Sequence, residues 1–408
     1  MFFSKASDFS QTDYRSRNFK GNWSKHFIND YVDSISSKGL VETLKSFSNH
    51  KAKYLPTHLY KFMPPTIYSL TNILQGTVHL SSPRNFNDPF DSYLCVNKET
   101  FTKRYVLAEL KKKGFIKDVE ESKEIITLKE YREINDSHCD GEKKNYYNKS
   151  FWLTLYEITN AKSESLKKHC ENIYFDAQKI CNSKMKFLRN TVYRISCFSY
   201  FSEEDELLEN STMWSHYADN HKGFCVKYKL DFSDCKFKEL LLCNIFPVNY
   251  LSQTEIITDN QLMNLKEIDG ELYVEDAVKK KIIKSLLSKS PFWKYEKEWR
   301  LILSEKECCF LYENNISFTK IEAIYLGCRI DKSIEQLLIK IGEKYSIKIF
   351  RTKQSDIKYS LSCYQLDAKS QASDEYYYKL NKTNSIKDKS ERFDIQRYIH
   401  DDFYKGHF

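Results

Sequence analysis

Glu296, Glu298 and Arg300 stand at alternate positions in YEKEWRLIL, residues 295 to 303. In an extended chain successive side chains point to opposite faces, so these three and Ile302 would share one side, and Tyr295, Lys297, Trp299, Leu301 and Leu303 the other. Two carboxylates and a guanidinium would then converge. Such a cluster either pairs internally, or with Asp88 or Arg84, to hold a sheet against a loop, or leaves a carboxylate free for chemistry. Metal-dependent phosphodiester cleavage would need grouped acids for Mg2+; Asp88, Asp91 and Glu298 are the available ones, and no recognised nuclease spacing is present.

Two more strings carry polar groups worth following. In MWSHYAD, Met213 to Asp219, the residues Trp214, Tyr217, Ala218 and His221 fall on one helical face, the stripe of either a core helix or a cofactor box. His216 lies off that stripe, as a surface histidine or, beside a carboxylate, a base. SSPRNFNDPFDS, residues 81 to 92, is a turn-rich loop with Pro83, Asn87-Asp88-Pro89 and Asp91. It reads either as the wall of a site or as a structural corner.

The elements that must position these groups follow from apolar spacing. Arg194 to Phe201 reads as a buried strand, and Phe224, Val226 and Tyr228 alternate as a half-buried one. Between them Asn210, Ser211 and Thr212 offer N-cap oxygens and Gly223 a C-terminal glycine, which predicts a helix of about three turns. Upstream, Lys25 to Phe47 reads as one accessory helix. His58 to Phe62 reads as a strand, Thr66 to Leu74 as a helix ended by Gly76, and Val78 to Leu80 as a strand. Residues 98 to 190 are helical and charged, an insertion or subdomain. Glu239 to Tyr250 reads as a strand interrupted at Pro247 and Asp276 to Lys289 as a helix. Ile321 to Gly327 and Ser346 to Phe350 read as strands around a helix at Ile334 to Lys344. The implied class is α+β, with a mixed or antiparallel sheet. The expected layout is a helical extension over 1–53, a core over 54–351 containing the 98–190 insertion, and an appendage or tail over 352–408.

Composition narrows the function classes. The 408 residues, 41% apolar and 15% aromatic, suffice for a sizeable core. Glycine is scarce, with 10 residues, and neither GxxxxGK[ST] nor GxGxxG occurs, so a glycine-cradled phosphate loop is not the main device. The net charge of +8 is spread among acidic residues, which allows nucleic acid without indicating it. Lys111 to Lys113 and Lys279 to Lys281 read as solvated helix faces. None of the twelve cysteines stands in a CxxC pair, and no metal site is expected from their spacing. With no signal peptide and no apolar run long enough to span a bilayer, the expected setting is reducing cytosol, with no membrane partner.

Leu59-Tyr60-Lys61-Phe62, Ser82-Pro83 with Phe86-Asn87-Asp88-Pro89-Phe90, Cys197-Phe198-Ser199, Met213-Trp214-Ser215-His216-Tyr217-Ala218 and Glu298-Trp299-Arg300 occur in that order. Together they resemble an uncharacterised bacterial family, the domain of unknown function numbered 2971, over roughly Tyr54 to Arg351. More distantly the layout is similar to that of ADP-ribosyltransferases of bacterial toxins and defence proteins. That likeness implies NAD as substrate and an acceptor that is protein, nucleic acid or small molecule. It implies Tyr60 or Lys61, then Ser199 with Tyr217, then Glu298 around the dinucleotide, with Trp214 or Tyr217 stacked on nicotinamide. Asn87, Asp88 and Arg300 would complete the binding site, and His216 and Glu296 would be further catalytic groups. Glu296-Lys297-Glu298 has the ExE form of some transferases. At the first position such enzymes usually carry Arg or His, and Lys61 lacks the guanidinium fork. The likeness implies that Glu298 stabilises the positive sugar of the transition state and that Glu296 removes a proton from the acceptor. The alternative is a non-catalytic defence or regulatory module that binds a nucleotide or nucleic acid in the same pocket.

Overall fold

The computed structural model describes residues 22–112, 164–190, 192–268, 271–309 and 311–366. Expectations for 1–21, 113–163 and the tail from 367 fall outside these residues. The chain is α+β and forms two compact units: the first from the described parts of Met1–Asn85, Tyr193–Tyr250 and Lys289–Phe408, the second from those of Phe86–Val192 and Leu251–Ser288.

The first unit is built on a mixed eight-stranded sheet. Its strands are β1 (His58–Met63), β2 (Tyr193–Ser199), β3 (Phe224–Lys229), β4 (Ile245–Pro247), β5 (Glu298–Ser304), β6 (Ile321–Leu326), β7 (Lys348–Gln354) and β8 (Leu361–Gln365), in the order β8-β7-β6-β3-β1-β2-β5-β4. Every neighbouring pair is antiparallel except β6 and β7, which are parallel and joined through the helix Lys332–Tyr345. A parallel pair needs such a crossover, whereas antiparallel neighbours do not. The sheet's last strand falls within the segment from residue 352 that was expected to stand apart.

Alternation in the strands divides the core. Leu59, Met63, Val226, Phe198, Trp299, Leu301 and Ile324 pack on one face with Leu70, Leu241 and Leu338 from helices. Tyr60, Phe62, Cys225, Ala323 and Tyr325 pack on the other with Leu207, Met213 and Trp214. The helix Ser211–Tyr217 therefore lies against the second face. It starts where Asn210 Oδ1 accepts the Met213 amide at 3.3 Å, but it has only seven residues rather than three turns. Asp219, Asn220 and His221 all take positive φ, and the Gly223 amide closes on Ala218 O at 2.7 Å. Glycine is required there by close packing: a Cβ on Gly223 would lie 2.2 Å from Met63 O.

Other local expectations change for identifiable reasons. The accessory helix is two helices, α1 (Asn22–Lys38) and α2 (Leu40–Ala52), because Gly39 between them takes φ 84°. The apolar run from Glu239 is helical over Lys238–Asn244 before β4 begins; a short apolar run buried all round carries no period that distinguishes helix from strand. Thr77–His79 pairs with Asn315–Ser317 in its own ribbon rather than in the main sheet. Thr66 and Gly76 do bound the helix Ile67–Gln75, the threonine by accepting Ser69 N and the glycine as a left-handed cap.

In the second unit the helices Lys98–Lys112 and Glu164–Asn190 pack through Val106, Leu110 and Ile173. This unit is larger than the insertion expected over 98–190. Ile256–Ile257 pairs in parallel with Cys95–Val96, and Arg104 forms an ion pair with Asp259, so Leu251–Ser288 belongs with it.

Candidate functional site

Antiparallel register sets Glu298 opposite Ser199 and Arg300 opposite Cys197, so these side chains share the face on which Trp214 lies. Arg300 is wholly buried and holds Glu298 side-on, with Nε 2.7 Å from Oε1 and Nη2 3.0 Å from Oε2. Glu296 is not on this strand. It ends the 3-10 turn Pro291–Glu296, and Lys297 then takes a left-handed conformation with φ 45° before β5 begins. The turn nevertheless brings both carboxylates to one ammonium: Lys289 Nζ lies 2.5 Å from Glu296 Oε2 and 3.1 Å from Glu298 Oε2.

Aromatic groups surround the cluster. Tyr217 Oη donates to Glu296 Oε1 at 2.7 Å, and the Glu298 amide donates to Tyr250 Oη at 2.8 Å. Lys289 Nζ also lies 4.9 Å from the centre of the Trp293 ring, an arrangement that favours its charge. Asn210 Nδ2 reaches across to Tyr295 O at 2.8 Å, tying the start of the Ser211 helix to the 3-10 turn. His216 is exposed, and its Nδ1 lies 3.3 Å from Tyr295 Oη.

The two carboxylates are driven apart electrostatically. Glu296, only 3% exposed, is pushed up to about 7, first by burial and then by the Glu298 charge; Lys289 and the Tyr217 hydroxyl oppose but do not outweigh them. For Glu298 burial also acts upward, but Arg300 and then Lys289 overcome it and hold the group well below the usual carboxylate range. Near neutral pH one carboxylate therefore holds a permanent charge while its neighbour gains and loses a proton.

The remaining expected residues divide by position. Ser199 is buried on β2 between Tyr60 of β1 and Glu298 of β5. Tyr60 itself packs among Phe201, Tyr325 and His58, as a core ring. Trp214 is fully buried, its indole N–H donating to Leu207 O at 3.0 Å and its ring meeting Phe62 edge-on, so it is a core residue rather than a stacking surface. Lys61 alternates onto the face opposite Glu298. Its ammonium is held by Ser196 Oγ at 3.1 Å and Cys197 O at 2.8 Å, and burial lowers its pKa. Asn87 and Asp88 belong to the second unit, where Asp88 Oδ1 accepts the Phe90 amide at 2.8 Å and forms a local turn.

Sequence reasoning missed Lys289, Tyr250, Trp293 and Tyr295. Lys289 follows the helix Asp276–Leu286 with no motif around it, and only the return of the chain toward β5 gives it two carboxylate partners. Among the described residues no group of three or more His, Cys, Asp or Glu side chains is arranged to hold a metal ion, and no helix is long and apolar enough to cross a membrane.

Residues 213–301 match a family described as "Protein of unknown function (DUF2971)". The match contains Tyr217, Lys289, Glu296, Glu298 and Arg300, and it leaves out Tyr60, Lys61, Asn87, Asp88 and Ser199. No curated protein and no solved structure matches the chain significantly.

Proposed function

We propose that the Glu296–Lys289–Glu298 cluster works on the bond between nicotinamide and ribose in NAD, transferring ADP-ribose to an acceptor. The observation that carries this reading is a pair of carboxylates with separated proton affinities sharing one ammonium, capped by a tyrosine. Cleavage breaks the C–N bond, the electron pair leaves with nicotinamide, and positive charge builds on the ribose. The fixed charge of Glu298 stabilises that positive sugar in the transition state more than it stabilises the ground state. As the acceptor oxygen or nitrogen bonds to the ribose carbon, its proton passes to Glu296, which Tyr217 and Lys289 keep oriented. Expectations from chain order agree: the ExE pair follows the Ser199 strand and the Tyr217 helix. The acceptor class and a role as a bacterial toxin or phage-defence effector belong to the same proposal.

One observation favours a second reading. Both oxygens of Glu298 are already engaged by Arg300, with Lys289 added, as in an ion network that only fixes the strands. The module would then bind a nucleotide or nucleic acid without catalysis. Nicotinamide release from NAD by wild type and by Glu296→Gln, with unfolding temperatures measured in NAD, ATP, RNA and DNA, separates the two. Release lost in the variant supports transfer. No release by wild type with protein, nucleic-acid and small-molecule acceptors present, together with stabilisation by RNA, DNA or ATP, overturns it in favour of binding.

A further inference from the structure

In the second unit a cavity of 190 Å³ lies where the start of the Lys98–Lys112 helix meets the end of the Glu164–Asn190 helix. Lys98, Lys186 and Arg189 bring three cationic groups to its lining, and no acidic residue lines it among the described residues. Tyr93, Val96 and Met185 supply its apolar wall.

The charges here differ from others nearby. Further along the same helix Lys103 pairs with Glu99 and Arg104 with Asp259. Lys98, Lys186 and Arg189 form no ion pair among the described residues. Arg189 is anchored by one nitrogen only: Nη2 donates to Asp91 O at 2.9 Å, while Nε is buried with no hydrogen-bond partner. Grouped like charges with no acidic partner repel one another, and an oxyanion in the cavity relieves that repulsion. The first turn of the Lys98 helix, where Asn97 Oδ1 accepts only the Thr100 amide at 3.0 Å, adds positive potential.

Size limits the ligand. At about 30 Å³ per water the space holds roughly six waters, well below the roughly 300 Å³ where sites for larger organic ligands begin. We propose that this cavity binds a small phosphomonoester. The phosphoryl oxygens take the Arg189 guanidinium and the two lysines, a dianion suiting a guanidinium and ammonium groups together. A short carbon body lies against Tyr93, Val96 and Met185.

Calorimetric titration of the full chain at fixed ionic strength, with glycerol 3-phosphate, inorganic phosphate and glycerol as probes, tests this. The ester is expected to bind saturably, phosphate roughly tenfold more weakly for want of the apolar contact, and glycerol not at all. Lys98→Glu combined with Lys186→Glu changes two exposed side chains, and an unchanged unfolding temperature without ligand checks its fold. That variant should lose roughly a hundredfold in affinity for the ester. Absence of saturable ester binding overturns the proposal. So does phosphate binding as tightly as the ester, or a double variant that binds like wild type.

Discussion

Glu296 and Glu298 are two positions apart but belong to different backbone geometries, and the single left-handed residue Lys297 turns both carboxylates onto the Lys289 ammonium. An uninterrupted strand would also have put them on one face. What the turn adds is a different environment for each: Glu298 is held by Arg300, while Glu296 meets Tyr217.

The first prediction concerns Glu296→Gln. This variant leaves the Arg300–Glu298 pair in place and removes the carboxylate proposed to take the acceptor's proton. ADP-ribose transfer to the acceptor should fall by roughly 10²- to 10⁴-fold while NAD affinity changes little. Single-turnover transfer and equilibrium binding, measured on the same preparation, check it.

Glu298→Gln should behave differently. It deletes the charge that the proposed transfer uses against the sugar cation, and it also leaves a wholly buried guanidinium without its carboxylate. Activity should drop by about 10²-fold or more. Stability should drop with it, by roughly 3–5 kcal/mol in denaturant unfolding.

In the proposed transfer Glu296 takes the acceptor's proton only when ionised, so activity should rise with pH through about 7, where burial and the Glu298 charge place that carboxyl. Removing the cation that favours ionisation, as in Lys289→Met, should move this limb to higher pH. A pH–rate profile of wild type and variant gives the sign directly, and a limb that moves to lower pH would contradict the assignment.

Folding should show the same group. The folded state raises Glu296 from its ordinary 4.5, so it binds more protons than the unfolded chain between about 4.5 and 7. This contribution is full below 4.5 and is lost as pH rises through about 7, a change of up to about 3 kcal/mol. In Glu296→Gln that loss should disappear, flattening the stability curve between pH 5 and 8. Denaturant midpoints across that range would show it.

Gly223→Ala tests the packing beneath the Tyr217 helix. The added Cβ would meet the Met63 carbonyl at 2.2 Å, and backbone on both sides leaves no side chain to give way. A loss of roughly 1–3 kcal/mol is expected from thermal unfolding.

Much of the sheet was legible because its strands alternate. Val226 of β3 and Trp299, Leu301 and Leu303 of β5 pack in one core face as their spacing requires, although β5 is buried on both sides from Glu298 to Leu303. The convergence of Glu296, Glu298 and Arg300 could likewise be read from spacing, although Glu296 arrives through a turn. Trp214 was ambiguous because an aromatic stripe on a helix looks the same whether it meets a ligand or a core. Its burial against Phe62 came from the sheet it covers. The face taken by Lys61 was hidden for a related reason. A lysine in an alternating strand has no visible face until its neighbours are known, and here Ser196 and the Cys197 carbonyl hold it.

By itself the sequence determined the α+β class, the main strands and the carboxylate–guanidinium string, because these depend on side-chain period and local capping. Tertiary structure alone decided that Lys289 joins two carboxylates, that Tyr217 completes one of them, and that Glu296 titrates near neutrality. Those properties arise from burial and from charges brought together across long chain separations, which no local spacing records.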